Sequence, residues 1–341
     1  MSFTWPEILH RLFAGESLTR QQAAWAMGQI MEGNATAAQF GAFVGSLRAK
    51  GETVDEIVGL VETMRANALK VEVEEAAVDT CGTGGDGSGT INVSTISAFV
   101  VAGAGAKVAK HGNRAASSQC GSADMLESLG VKIDLGPEGV SECIREAGIG
   151  FCFAPAFHPS MRHAVPLRRE LKVPTIFNFL GPLTNPAGAR HQALGVSDER
   201  MAPKMVEALQ RLDTAHCLVF RGLDGLDEIS IAGPSDLWEL KDGKVTHSII
   251  DPADYGIPRA GTDALRGGAA PDNARIARRI LDGEEGPPRD VVVVNAAAAI
   301  IAAEMAIDFP QAIEQAEDSI DSGRAKVALE QLIEVSNKLA A

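Results

Sequence analysis

No Cys-x-x-Cys pair occurs in the 341 residues, and the cysteines are five: Cys81, Cys120, Cys143, Cys152 and Cys217. An odd, scattered set argues against a disulfide frame or a zinc site and fits reduced thiols in a cytoplasm. Long apolar runs are missing too. The longest, Val291–Ala303, is interrupted by Asn295 and is too short to span a bilayer, so it predicts a buried helix and no membrane partner. Glu7 and His10 break the apolar pattern near the start, which is not the pattern of a signal peptide. Positive charge is in deficit: 31 Lys and Arg stand against 45 Asp and Glu, a net charge of −14. That excludes a broad nucleic-acid footprint. An anionic ligand must therefore be held by a local device, such as backbone amides, a few cations or a metal. Internal repeats and low-complexity tracts are also absent.

What is present is ordinary for a soluble globular chain: 45% apolar and 22% charged residues, enough for one large domain or two modest ones. The first 70 residues read as four short helices. Thr19 with Gln22, Thr36 with Gln39 and Thr53 with Glu56 each match a capping box, and Gly15, Gly33 and Gly51 mark the preceding helix ends. Part of the bundle's apolar surface is expected to meet the next domain or another subunit. From Val78 the pattern alternates. Strand-like runs at Ala76–Thr80, Lys107–Lys110, Ile149–Ala154, Ala193–Val196 and Cys217–Phe220 are interleaved with helical stretches such as Ala98–Gly103, Met125–Leu129 and Met201–Leu212. This predicts an α/β fold, a small all-helical N-terminal domain followed by a large domain with a mainly parallel central sheet flanked by helices. Asp242–Gly243 predicts a hairpin within Trp238–Ile250. Pro287–Pro288 reads as a loop, and the tail from about Arg289 as two helices broken near Pro310.

Three segments carry chemistry. Residues 78–95 read VDTCGTGGDGSGTINVST, with five glycines among the eight residues Gly82–Gly89. Gly82, Gly84 and Gly87 satisfy G-x-G-x-x-G, but no acid follows where a dinucleotide fold needs one, and no Lys-Ser/Thr follows as in a Walker loop. A tight turn would account for two glycines and hardly five. The loop runs into the cap cluster Asn92–Thr95, and free amides at a helix N-terminus predict an anion site. The second segment, residues 110–130, adds Lys110 and Arg114, a turn at Gly112, the hydroxyls of Ser117 and Ser118, and Ser122 as a helix cap. Two such loops leaving strand ends converge at one crevice and suit a ligand with two separated phosphates. The third, DGLDEIS at 224–230, places Asp227 and Glu228 in a turn before a strand-like Ile229–Ile231, a pair able to ligate Mg²⁺ beside phosphates.

In this order and spacing, GTGGDGSGTINVST, KHGNRAASSQCGSADMLESLG, FNFLGPLTNPAG and DGLDEIS resemble the anthranilate phosphoribosyltransferases of tryptophan biosynthesis over essentially the whole chain. The resemblance implies transfer of the phosphoribosyl group of 5-phosphoribosyl 1-diphosphate (PRPP) to the amine of anthranilate. The products are N-(5-phosphoribosyl)anthranilate and diphosphate, the second step from chorismate. It also implies Mg²⁺ and a homodimer held through the helical domain. The implied division is 1–72, with about 166–190 returning to it, and 73–165 with 191–341. Gly82, Gly85, Asp86, Thr90, Asn92, Val93, Ser94 and Thr95 would cradle PRPP, and Lys110, His111, Gly112, Asn113, Arg114, Ala115, Ala116, Ser117, Ser118 and Ser122 would complete the cradle. Ser94, Asp227 and Glu228 would hold Mg²⁺. Gly82, Asn113 and Arg168 would contact anthranilate, with His111, His158 and Pro182 lining its access channel. Arg168 offers a planar fork that matches a carboxylate.

No residue is implied as nucleophile or base, because a neutral aromatic amine can attack the ribose carbon directly. The leaving diphosphate then needs charge neutralisation and orientation. Pro174 stands where the family often has arginine, Gln119–Cys120 where it often has Lys-Ser, and Lys172 at a usual glycine. Two rivals remain open: a pyrimidine-nucleoside phosphorylase, opposed by the KHGNR string and Arg168, and a non-enzymatic nucleic-acid-binding relative, opposed by the net charge.

Overall fold

The computed structural model describes residues 3–115 and 119–340. Four helices open the chain: α1 (Trp5–Phe13), α2 (Arg20–Met31), α3 (Ala37–Lys50) and α4 (Val54–Ala66). Thr19, Thr36 and Thr53 accept from the amides of Gln22, Gln39 and Glu56, as the capping pattern predicts. Thr4 and Glu7 form a fourth box, unread in the sequence, with the Thr4 amide donating to Glu7 Oε2 at 2.9 Å. Glu56 does more than cap. It is fully buried and accepts from the Leu18 amide (2.8 Å), the Thr53 amide (2.8 Å) and Lys50 Nζ (3.0 Å), tying three segments together.

Seven strands form one sheet in the order β3-β2-β1-β4-β5-β6-β7. They are β1 (Ala77–Gly82), β2 (Lys107–Gly112), β3 (Ile149–Phe153), β4 (His191–Gly195), β5 (His216–Gly222), β6 (Ser235–Lys241) and β7 (Lys244–Ile250). Strands β1 to β5 pair in parallel, and β6 and β7 add an antiparallel hairpin at the edge, turning at Asp242–Gly243. One face is covered by α5 (Val93–Ala104) and by the helices 287–302, 309–321 and 324–340. The other face shares its core with the bundle: Leu194, Val219 and Met205 lie in one continuous buried cluster with Phe40, Phe43 and Leu60. The bundle surface expected to meet another element meets the sheet. Residues 164–183 pack into the same cluster, and the Phe177 ring lies 5.6 Å from that of Phe40.

Three expectations are corrected. Ile229–Ile231 is not a strand. Asn295, from the helix behind, accepts the Ile229 amide at 2.8 Å and donates to its carbonyl at 3.0 Å, so one side-chain amide takes the place of a neighbouring strand. Pro287 and Pro288 do not form a loop. They open the helix Pro287–Ala302, where a missing N–H costs nothing. The tail therefore holds three helices, and Pro310 stands in the first turn of the second, behind the Asp308 cap.

Candidate functional site

In the strand order, β1 has β2 on one side and β4 on the other, while the chain reaches β4 only after β3. Such a reversal opens a crevice at the carboxyl ends of the strands. At that edge Gly82 of β1 pairs with Gly195 of β4. A Cβ on Gly82 would strike the Asp227 carboxylate, and one on Gly195 would overlap the Asp227 carbonyl. Gly195 must be glycine for the DGLDEIS turn to rest on the strand end, and a side chain at Gly82 would push the Asp227 carboxylate aside. Asp227 Oδ2 then accepts the Gly84 amide at 2.7 Å. The remaining loop glycines, Gly84, Gly85, Gly87 and Gly89, all have positive φ. Backbone shape thus explains four glycines, where a turn alone was expected to explain two, and close approach explains the fifth. Asp86 braces the loop from within, accepting from the Ser88 amide (3.1 Å) and hydroxyl (2.8 Å).

Charge at this edge is concentrated and poorly solvated. Burial, with Asp86 nearby, pushes the Asp227 carboxyl up to about 7. Burial and then Asp227 push Glu228 well above the usual carboxylate range, while the Ser94 amide eases it. Lys110 is 2% exposed, and its Nζ donates to the Thr80 carbonyl and, at 3.4 Å, to Ser94 Oγ. Burial lowers its pKa, against the pull of Asp79. Crowded, desolvated carboxylates beside a hydroxyl are the hard-oxygen donors that a divalent cation relieves. No cluster of three His, Cys, Asp or Glu side chains among the described residues forms a complete cage. A cation here must take further oxygens from a ligand or water, which is the habit of Mg²⁺.

Asn92 precedes α5 but makes no side-chain cap bond; its Oδ1 accepts from Asn273 Nδ2 (2.8 Å) and its Nδ2 donates to the Cys120 carbonyl (3.1 Å). Val93 and Thr95 are buried in the first turn, and Thr90 Oγ1 sits 3.2 Å from Ser88 Oγ. Beyond β2, Ser122 is not a cap. Its hydroxyl contacts both the amide and the carbonyl of Asn113 (3.1 Å each), and Gly121 is the cap of α6 (Ser122–Leu129). Asp124 instead accepts the amides of Ala115 (3.0 Å) and Gly121 (2.9 Å). Arg114 is held by Asp124 and Glu127 above the Phe153 ring, so its charge is already matched. Ala116, Ser117 and Ser118 lie outside the described residues.

His111 continues this edge. Its amide donates to Asp79 Oδ1 (3.1 Å), its Nδ1 donates to the Gly181 carbonyl (3.1 Å), and its Nε2 has no hydrogen-bond partner among the described residues. The ring lies 5.2 Å from that of His158, and burial, then His158, drive its pKa down to about 3. Neither ring nitrogen of His158 makes a hydrogen bond of good geometry, and burial lowers its pKa too. Both imidazoles are neutral walls at pH 7. Pro182, next to Gly181, is buried, and its carbonyl accepts Gln192 Nε2 at 2.7 Å.

Arg168 lies on the helix Val165–Leu171, with its guanidinium 5.5 Å from the Phe177 ring centroid. Burial lowers its pKa, and among the described residues no carboxylate opposes that shift. Arg169 beside it is exposed. The helix ends on Lys172 at φ 54, a left-handed cap that explains why glycine suits the position. Lys172→Gly is expected to raise unfolding stability by about 1 kcal/mol, read from urea melts; an unchanged or lower midpoint would show that the cap carries no strain.

Asn273 and Asn295 were missed by sequence reasoning. Asn295 had a signal, a lone amide inside an apolar run; Asn273 had none.

The family model described as glycosyl transferase family, a/b domain, matches residues 74–326, and the one described as glycosyl transferase family, helical bundle domain, matches residues 6–68. A relative from Chloroflexus aurantiacus named anthranilate phosphoribosyltransferase is 53% identical over 332 residues, covering 97% of this chain and 98% of the relative. One of the same name from Salinispora arenicola is 53% identical over 344 residues, covering 98% and 97%. The solved anthranilate phosphoribosyltransferase of Thermus thermophilus superposes with a TM-score of 0.91 at 41% identity, over 98% of this chain and 99% of that one. The Saccharomyces cerevisiae enzyme in complex with PRPP and Mg gives 0.90 at 26% identity, over 98% of each chain.

Proposed function

We propose, from the premise that this chain belongs to the anthranilate phosphoribosyltransferase family, how its own residues carry the transfer of phosphoribosyl from PRPP to anthranilate. The observation that carries the reading is the junction at the switch point, where Gly82 and Gly195 admit Asp227 and leave Asp227 and Glu228 crowded beside Ser94. Mg²⁺ held by Asp227, Glu228 and Ser94 would neutralise the departing diphosphate.

The loop from Gly82 through Gly85 and Asp86 to Thr90, with the first turn of α5 (Asn92–Thr95), presents amides and hydroxyls to the phosphates of PRPP. Lys110–Ala115 and Ser122 close the other side. Lys110 acts from beneath, as a buried positive charge on Ser94 rather than an open phosphate clamp. His111, His158 and Pro182 form the uncharged lining of the anthranilate channel. Gly82 and Asn113 border the bound amine, and Arg168 takes the carboxylate. The amine attacks C1 of the ribose as the bond to diphosphate breaks, the proton it then sheds passes to the departing diphosphate, and the chain supplies position and field rather than a nucleophile or base.

A direct assay tests this reading: anthranilate fluorescence should fall only when PRPP and Mg²⁺ are both present. Phosphorolysis of pyrimidine nucleosides without loss of anthranilate would overturn it. Valine at Gly85, where φ is 85° and a Cβ first meets Ser197 Oγ at 3.9 Å, is expected to weaken PRPP about tenfold by calorimetry. Its backbone strain should cost about 1–2 kcal/mol in the melt. Unchanged PRPP affinity would return the loop to a purely conformational role.

The division into 1–72 with about 166–190, and 73–165 with 191–341, is supported by the Phe40–Phe177 pair and by Arg65 Nε donating to the Leu183 carbonyl at 2.7 Å. A homodimer through the helical domain is supported by Phe13, 67% exposed at the end of α1. Sedimentation at twice the 35.8 kDa chain mass would bear it out, and a Phe13→Asp variant should then sediment as monomer. A cytoplasmic setting is supported by the free, buried thiols of Cys81, Cys143, Cys152 and Cys217. No described helix is long and apolar enough to cross a membrane.

A further inference from the structure

Away from the crevice, the chain passes between bundle and sheet along residues 65–72 and 185–188, and a groove of about 420 Å³ opens between the two passages. Backbone bonds stitch them to the body of the fold: the Val71 amide donates to the Pro186 carbonyl (3.1 Å) and the Leu69 amide to the Phe157 carbonyl (2.9 Å). We propose that this groove is a binding site for a small organic carboxylate with an apolar body.

The volume falls within the roughly 300–1,000 Å³ of small-molecule sites. The walls are apolar along Ala66, Ala68, Val71 and Ala187, and the lining holds two cations, Arg65 and Lys70, against one acid, Glu72. In a chain of net charge −14, a local positive surplus marks a place for an anion. Arg65 is the anchor. Its Nε is fixed on the Leu183 carbonyl, which orients the guanidinium, and burial lowers its pKa. The acid that opposes this shift is Glu62, and that carboxylate is already engaged by Arg20. A planar fork held at one nitrogen, with no ion pair of its own among the described residues, suits a ligand carboxylate in the bidentate manner.

The groove also touches the machinery described above. Leu183 follows Pro182 and Gly181, and the Gly181 carbonyl holds His111 Nδ1, while Asn185 in the groove donates to the Ala109 carbonyl of β2 at 2.7 Å. A ligand drawing on Arg65 therefore bears on the segment that sets the His111 ring. This consequence rests on the anthranilate reading; the site itself does not.

The test uses the full chain and 4-fluorobenzoate as probe, followed by fluorine NMR. Arg168→Ala serves as background, to remove the carboxylate site assigned to anthranilate. Saturable probe binding is expected to persist in that background. It should weaken at least about tenfold when Arg65→Gln is added, and likewise when Ala187→Leu fills the groove. Should Arg65→Gln fail to fold, Ala187→Leu decides alone. Absence of saturable binding in the Arg168→Ala background, or binding that survives both groove variants, overturns the proposal. Loss of all binding on Arg168→Ala alone would overturn the groove while leaving the anthranilate site standing.

Discussion

The double variant Asp227→Asn, Glu228→Gln is expected to lose at least about a thousandfold in turnover, on the order of 4 kcal/mol of barrier, while its melt in metal-free buffer does not fall. The two halves of that expectation come from the same crowding. Burial leaves both carboxyls shifted upward, so in the folded chain without metal their charges oppose one another and desolvation. Amides of the same shape remove that opposition, and an Asn oxygen can still accept the Gly84 amide that Asp227 now holds. What they cannot do is hold a divalent cation against diphosphate. Loss of activity with a normal melt, and no recovery at high Mg²⁺, is the expected pattern. Near-normal turnover at low Mg²⁺ would sink the assignment, and a collapsed melt would make the pair structural.

Arg168→Ala is expected to raise the anthranilate KM by roughly 30- to 150-fold, the worth of one charge-assisted bidentate contact of about 2–3 kcal/mol, with PRPP affinity within about threefold. The structure sharpens the motive. The guanidinium is desolvated over the Phe177 ring and meets no carboxylate among the described residues, so its burial costs free energy that an arriving carboxylate can offset. Arg168→Lys should recover only part, because an ammonium lacks the fork. Were Arg168→Ala to weaken PRPP and spare anthranilate, the exposed Arg169 or Arg162 would become the candidate.

The bundle and the parallel sheet were legible because their signals are local: threonines three residues before a Gln or Glu, and apolar runs at strand spacing. The hidden parts depend on partners distant in the chain. Nothing near Ile229 says that its strand partner will be the side chain of Asn295, sixty-six residues on. The surroundings of the loop cations were hidden in a similar way: Lys110 and Arg114 read only as cations on the second segment, and the fold buries one against Thr80 and Ser94 and pairs the other with Asp124 and Glu127. The glycine-rich loop stood out by its glycine count, but the count does not name what comes close: a Cβ on Gly82 would meet the Asp227 carboxylate, from the third motif.

The shared core of bundle and sheet also bears on how the chain is made. Phe40 and Phe43 are completed by Phe177 and by sheet residues such as Leu194 and Val219, all synthesised well over a hundred residues later. At about 5–20 residues per second, the first four helices spend on the order of ten seconds outside the ribosome with their apolar seam uncovered. The nascent chain in that interval is a natural client for a chaperone. A fragment ending after α4 should stay sticky and loosely packed, gaining a cooperative melt only once the strands up to β5 have been translated.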